Sequence, residues 1–221
     1  MRWLLVSAAL LAIPCFPKDF TERQEFTYPL AENGRVFLKN EVGEVRLRAS
    51  DRKDVHIVAL KRARDSDQRD GPQRVAELRV QVSAASGEVR ILGRWPERDL
   101  TRMLRGKSKL QIDFEIEAPR TARLELENDV GEVRVEGAAH DVIVRESVGE
   151  VSIALADSFL PRRVYLRTRI GDVDTNLDGR GRMQGWLGKK FTAILDGNRT
   201  LDVRVGIGDI RVTARKVPVQ V

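Results

Sequence analysis

Six carboxylates recur in one context: Glu44, Glu88, Glu132, Glu150, Asp172 and Asp209 each follow a glycine that is preceded by Val, Ile or, once, Ser. Carboxylates gathered into a row suit two kinds of chemistry. A hard cation such as calcium needs many oxygen ligands, and hydrolysis of a glycosidic bond needs two carboxyl groups flanking it. The residue two positions after each acid argues against both. It is Arg46, Arg90, Arg134 and Arg211 in four of the six copies, and residues two apart on a strand share a face. Such an arginine neutralises its acid, weakly at a surface but enough to relieve repulsion along a row. We therefore expect no metal, no cofactor and no catalytic residue in this motif.

Other reactive side chains are sparse. His56 and His140 lie in different runs with no cysteine or second histidine beside them, which is poor zinc-ligand spacing. The single cysteine, Cys15, sits at the end of an N-terminal apolar run, so the chain after it has no disulfide framework and no thiol nucleophile. No Gly-x-Ser-x-Gly elbow occurs, and the glycines between Gly179 and Gly188 are not followed by the Lys-Ser/Thr of a phosphate loop. Two basic segments remain, residues 61–74, whose charged, turn-rich sequence without apolar period predicts an exposed loop, and residues 94–109. In the second, Arg94, Trp95, Arg98, Arg102, Arg105 and Lys107 are a candidate polyanion-binding loop, with Trp95 as a stacking platform. Glu97 and Asp99 within it fit a merely solvated loop equally well.

The elements that position these residues are legible from the flanks of the glycines Gly43, Gly87, Gly131, Gly149, Gly171 and Gly208. Counting from each glycine, positions −7, −5, −1, +2 and +4 are aliphatic in 28 of 30 cases, Ser86 and Thr175 being the exceptions. Branched aliphatics at two-residue spacing predict strands. Positions −7, −5 and −1 are expected on one face, and the step to +2 makes the glycine and its acid a two-residue corner. Glycine spacings of 44, 44, 18, 22 and 37 residues suggest a unit of about twenty, sometimes doubled or carrying a loop. The fold class expected is all-β, a single-domain β-solenoid of stacked rungs of about twenty residues. The alternative is an antiparallel β-meander or sandwich of repeated hairpins, each glycine then lying in a tight turn. Leu110–Glu117 alternates without a break and predicts a strand burying Leu110, Ile112, Phe114 and Ile116.

The whole chain of 221 residues carries a net charge of +6 from 39 basic and 33 acidic residues. Mixed signs of this kind describe a solvated surface, so no specific nucleic-acid binding is expected. Arg2 followed by the apolar run Trp3–Pro14 reads as an export signal, too short to span a bilayer. Residues 1–17 are assigned to it and residues 18–221 to one β-repeat domain. Membrane contact is expected only through this signal or through lipidation of Cys15.

The Val-Gly-Glu-Val-Arg-Val of residues 130–135 and its copies resemble the bacterial putative-adhesin domain family, over about Phe26 to Val217. That resemblance implies an exported, β-helix-like protein and brings no established active-site residues. The basic segment around Trp95 and the Gly-rich excursion Gly179–Lys190 depart from its pattern. The expected function is a non-catalytic cell-surface or periplasmic interaction or scaffold module, with an unidentified surface protein or polysaccharide as partner. Alternatives are a carbohydrate-active β-helix enzyme, or a binder of anionic polymers through segments 61–74 and 94–109.

Overall fold

The computed structural model describes residues 20–65, 71–96, 108–159, 161–177, 182–185 and 188–214. Cys15, the signal, and Arg98, Arg102, Arg105 and Lys107 lie outside them. The chain is all-β with one short helix. Its strands are β1 (Phe20–Pro29), β2 (Arg35–Ser50), β3 (Asp54–Asp65), β4 (Arg79–Ala85), β5 (Glu88–Arg94), β6 (Ser108–Pro119) and β7 (Arg123–Ala138). There follow β8 (Val142–Leu155), β9 (Pro161–Ile170), β10 (Val173–Thr175), β11 (Arg182–Gln184), β12 (Lys190–Ile194), β13 (Arg199–Ile207) and β14 (Ile210–Ala214), with α1 (Gly71–Glu77) between β3 and β4. They form one open sheet with β1 and β11 at the ends of its main path.

Copies of the repeat pair in parallel and in register. Strands β2, β7 and β8 each run straight through their glycine, placing Gly43 opposite Gly131 and Gly131 opposite Gly149. In the other two copies the same unit is split at the motif into β13 with β14 and β9 with β10. Ile207 lies opposite both Val148 and Ile170, and Ile210 opposite both Val151 and Val173. The glycines therefore stack as Gly43, Gly131, Gly149, Gly208, Gly171. This order departs from the chain: the last copy is inserted between the third and fourth. After β10 the chain makes the antiparallel β11–β12 hairpin outside β9, then returns to fill the slot between β8 and β9.

Each glycine folds its strand so that the two flanks become two leaves over one aliphatic core. Positions −7, −5, +2 and +4 are buried in the β7 copy as Leu124, Leu126, Val133 and Val135, and likewise in β8. Burying such a side chain contributes about 1.5–3 kcal/mol. Strand β6 adds Leu110, Ile112, Phe114 and Ile116, all buried as the alternation predicts, and pairs in parallel with the second half of β2.

Three expectations are corrected. Position −1 is not on the core face: Val130, Val148, Ile207 and Ile170 are 44%, 43%, 50% and 49% exposed. The bend begins at −2, so −3 is the last inward residue and the corner takes four residues rather than two. Gly87 is not in the column. It closes the antiparallel β4–β5 hairpin, where Ser86 and Gly87 both have positive φ (52° and 77°), as a primed two-residue turn requires. Residues 61–74 are not one exposed loop. Strand β3 continues to Asp65, with Ala63 buried and Lys61 donating from Nζ to the Leu78 carbonyl (3.1 Å) and pairing with Glu22 (2.8 Å). Residues 71–77 form α1, which buries Arg74. Long charged side chains conceal the inward Ala59 and Ala63 from any reading by hydropathy.

Candidate functional site

At the corner the repeat brings polar groups into rows, and the glycine makes those rows possible. At Gly43, Gly131, Gly149, Gly208 and Gly171 φ is +142°, +148°, +151°, +134° and +133°, a region that side-chain-bearing residues rarely adopt. A Cβ added at Gly149 would sit 1.7 Å from the Gly131 carbonyl oxygen, and one at Gly208 would sit 1.8 Å from that of Gly149. Only a bare backbone permits this approach.

The +1 acids follow the column. Glu132 lies opposite Glu44 on one side and Glu150 on the other, and the register continues through Asp209 to Asp172, at roughly the 4.8 Å strand spacing. Arg46 binds Glu44 through two nitrogens at 2.5 and 2.9 Å, Arg134 binds Glu132 at 2.5 Å, and at the hairpin Arg90 binds Glu88 at 2.8 Å. Hydrogen bonding to these glutamates, and then their charge, holds Arg46 and Arg134 above the ordinary guanidinium range. The fourth arginine behaves differently. Arg211 reaches across strands to Glu150 (3.9 Å) and Asp174 (3.8 Å), while Asp209 accepts the Asp172 backbone N–H at 2.8 Å and Lys189 pairs with Asp172. No cluster of three or more His, Cys, Asp or Glu suited to a metal ion occurs among the described residues.

Beneath the corner, position −3 forms an inward ladder of Asn40, Asn128, Glu146, Val205 and Thr168. Asn40 Nδ2 donates to the Ile112 carbonyl (3.1 Å) and to Asn128 Oδ1 (2.9 Å). Asn128 Nδ2 donates to the Gly43 carbonyl (3.3 Å) and to Glu146 Oε2 (2.9 Å). Thr168 Oγ1 serves the Ile170 and Gly208 carbonyls at 3.0 and 2.8 Å. Asn128 and Thr168 thus support carbonyls of the corner, and Asn40 one of the neighbouring β6. Glu146 is 4% exposed, and its Oε1 makes no well-aligned hydrogen bond. Burial pushes its carboxyl up to about 8, aided by nearby Asp129 and opposed by Asn128 and the Gly131 backbone. It is therefore held mostly protonated around pH 7.

The remaining candidates lie apart. His56 contacts Thr27 Oγ1 (3.0 Å) and Glu25 (3.4 Å). His140 is buried, accepts the Asp141 backbone N–H at Nδ1 (2.6 Å) and faces Arg199 across 2.6 Å; burial, then Arg199, lowers its pKa. Arg94 ends β5, and Trp95 packs partly buried against the core beside Gly93.

No family model matches the chain, and no curated protein does. A crystal structure of a putative cell adhesion protein from Clostridium sporogenes ATCC 15579 is similar at TM-score 0.47 and 12% identity, over 88% of this chain and 100% of that one. A putative adhesin from Bacteroides fragilis NCTC 9343 is similar at TM-score 0.23 and 8% identity, over 86% of this chain and 97% of the other. Likenesses this distant carry no function across.

Glu146 is absent from the sequence-derived candidates because position −3 holds four kinds of side chain: amide, carboxyl, hydroxyl and, at Val205, an apolar one. Its signal is an acid at an inward position of an otherwise aliphatic alternation. A second feature, the cations at position −4, was legible as Lys39, Arg145, Arg167 and Arg204, but their adjacency depends on the strand crossover.

Proposed function

We propose that this protein is a non-catalytic, exported interaction module of the cell surface or periplasm, with its repeat copies acting as the rungs of a short solenoid. The observation that supports this reading most is the in-register parallel stack from Gly43 to Gly171, which turns every outward repeat position into a row along one surface. Such rows match a partner that is itself repetitive. The acids that a glycosidase-like reading would use are spread along the column, and Glu44 and Glu132 are engaged by arginine within their own copy. The exposed aliphatics at position −1 form a further row at the bend. Export follows from the N-terminal signal reading, not from the fold.

The test is retention of the purified chain on immobilised surface polysaccharides and matrix proteins, with the ligand analysed afterwards. Saturable retention with ligand of unchanged size is expected. Shortened polysaccharide would refute the non-catalytic reading, and no retention on any partner would refute the interaction reading.

A further inference from the structure

The outer face of the first leaf carries a second row that the repeat motif does not announce. Arg145 on β8 lies opposite Arg204 on β13, Arg204 opposite Arg167 on β9, and Arg167 opposite Lys190 on β12. Four adjacent strands thus present four cations side by side at about 4.8 Å intervals, and Arg169 extends the group toward the corner. Like charges placed directly opposite one another destabilise a sheet, so the row is costly unless something outside the fold uses it.

Its internal compensation is small. Asp202 binds Arg204 through both carboxylate oxygens, at 2.9 and 2.8 Å. Arg145, Arg167 and Arg169 are exposed and have no ion-pair partner among the described residues. Gly206, on the same face beside Arg204, leaves a notch between Ser147 and the Arg169 guanidinium. The result is a shallow cleft of about 440 Å³ with Arg145, Arg167, Arg169 and Arg204 along its length and Glu127 and Asp129 closing its β7 end. Glu127 lies opposite Arg145 at that end, where the cation row stops, and pairs on its other side with Lys39 (3.8 Å), while Asp129 accepts from Ser147 (3.4 Å).

We infer that this row of Arg145, Arg204, Arg167 and Lys190, with Arg169 beside it, binds a linear polysaccharide carrying a carboxylate or sulfate on successive sugars. Planar guanidinium groups hold such oxyanions bidentately, and one strand spacing is comparable to the length of one sugar unit. Single-stranded nucleic acid fits less well, because it needs open aromatic faces for its bases. The aromatic here, Tyr165, is already covered by Arg204 (5.0 Å) and Lys190 (5.3 Å). The inference rests on the interaction-module reading above and names its partner.

The experiment measures binding of the purified chain to a uronate polymer, a sulfated dextran and uncharged dextran across a salt series. The wild type is expected to bind one or both anionic polymers, with affinity falling as salt rises, and to ignore uncharged dextran. Arg145→Gln with Arg167→Gln should weaken that binding by about tenfold or more, whereas Arg145→Lys with Arg167→Lys, which keeps the charge but loses the bidentate fork, should give an intermediate loss. Arg48→Gln with Arg79→Gln, equal in charge and also exposed, should change it by less than about twofold. Equal losses in the two Gln pairs would overturn the row in favour of net charge. Equal competition by single-stranded DNA or by phosphatidylserine vesicles would overturn the polysaccharide assignment. Failure to bind either anionic polymer would overturn the inference, while retention on another immobilised partner would leave the broader reading standing.

Discussion

Replacing Glu146 with Gln isolates the one buried acid of the corner ladder. The side chains are nearly isosteric, so Asn128 Nδ2 keeps an oxygen to donate to. The unfolded carboxyl titrates near its ordinary 4.5 and the folded one near 8. The folded state thus holds the extra proton between these values, and stability falls as pH rises through that window, levelling off above it. At about 1.36 kcal/mol per unit, the full effect is on the order of 3–5 kcal/mol. The Gln variant has no proton to lose. Urea or thermal unfolding followed by circular dichroism from pH 5 to pH 9 should give a falling curve for wild type and a flatter one for Glu146→Gln. The two should be close near pH 5, with the variant ahead by several kcal/mol at pH 9, or roughly 10 °C in midpoint for a chain of this size. Curves that stay parallel across the range would refute both the perturbed acid and the ladder's hydrogen-bond logic.

Gly149→Ala should destabilise by more than about 3 kcal/mol, since a positive φ and a carbonyl clash act together; Gly87→Ala at the open hairpin tip should cost only about 1 kcal/mol. Paired melts of the two variants check this. Leu126→Ala should cost about 2–5 kcal/mol by opening a core cavity, whereas Val148→Thr on the exposed corner row should stay within about 0.5 kcal/mol, as denaturant midpoints would report. Arg46→Ala removes a surface pair and should cost less than about 1 kcal/mol, diminishing in high salt.

What could be read in the sequence was whatever the side-chain alternation encodes locally. The aliphatics at −7, −5, +2 and +4 identify the inward positions, and Leu110 to Ile116 identify β6 without help. Position −1 misleads because its parity agrees with −3 while the bend intervenes, and a bend of glycine backbone leaves no mark on residue types two positions upstream. Gly87 misleads for a related reason: a hairpin and a rung corner both select glycine for positive φ, and only the partner strands distinguish them. Lys61 and Ala63 show how a buried strand end hides when one inward residue is small and the next satisfies its charge with Glu22 and a carbonyl. The cation row was only partly legible: Arg145, Arg167 and Arg204 share position −4, but their order and the addition of Lys190 follow from the strand order β8, β13, β9, β12.

That insertion is the central claim, and disulfide trapping tests it most directly. With Cys15 replaced by Ser, Val148→Cys is combined with either Ile207→Cys or Ile170→Cys, all at exposed corner positions. Neighbouring strands place the first pair about 4.8 Å apart, and the second pair is separated by two strand spacings, about 9.6 Å. Only the first lies within the span of a disulfide. Rapid oxidation of the 148–207 pair with little or none at 148–170 is the predicted result. Efficient bridging of 148 to 170 instead would mean that the copies stack in chain order, and would overturn the placement of β13 between β8 and β9 described here.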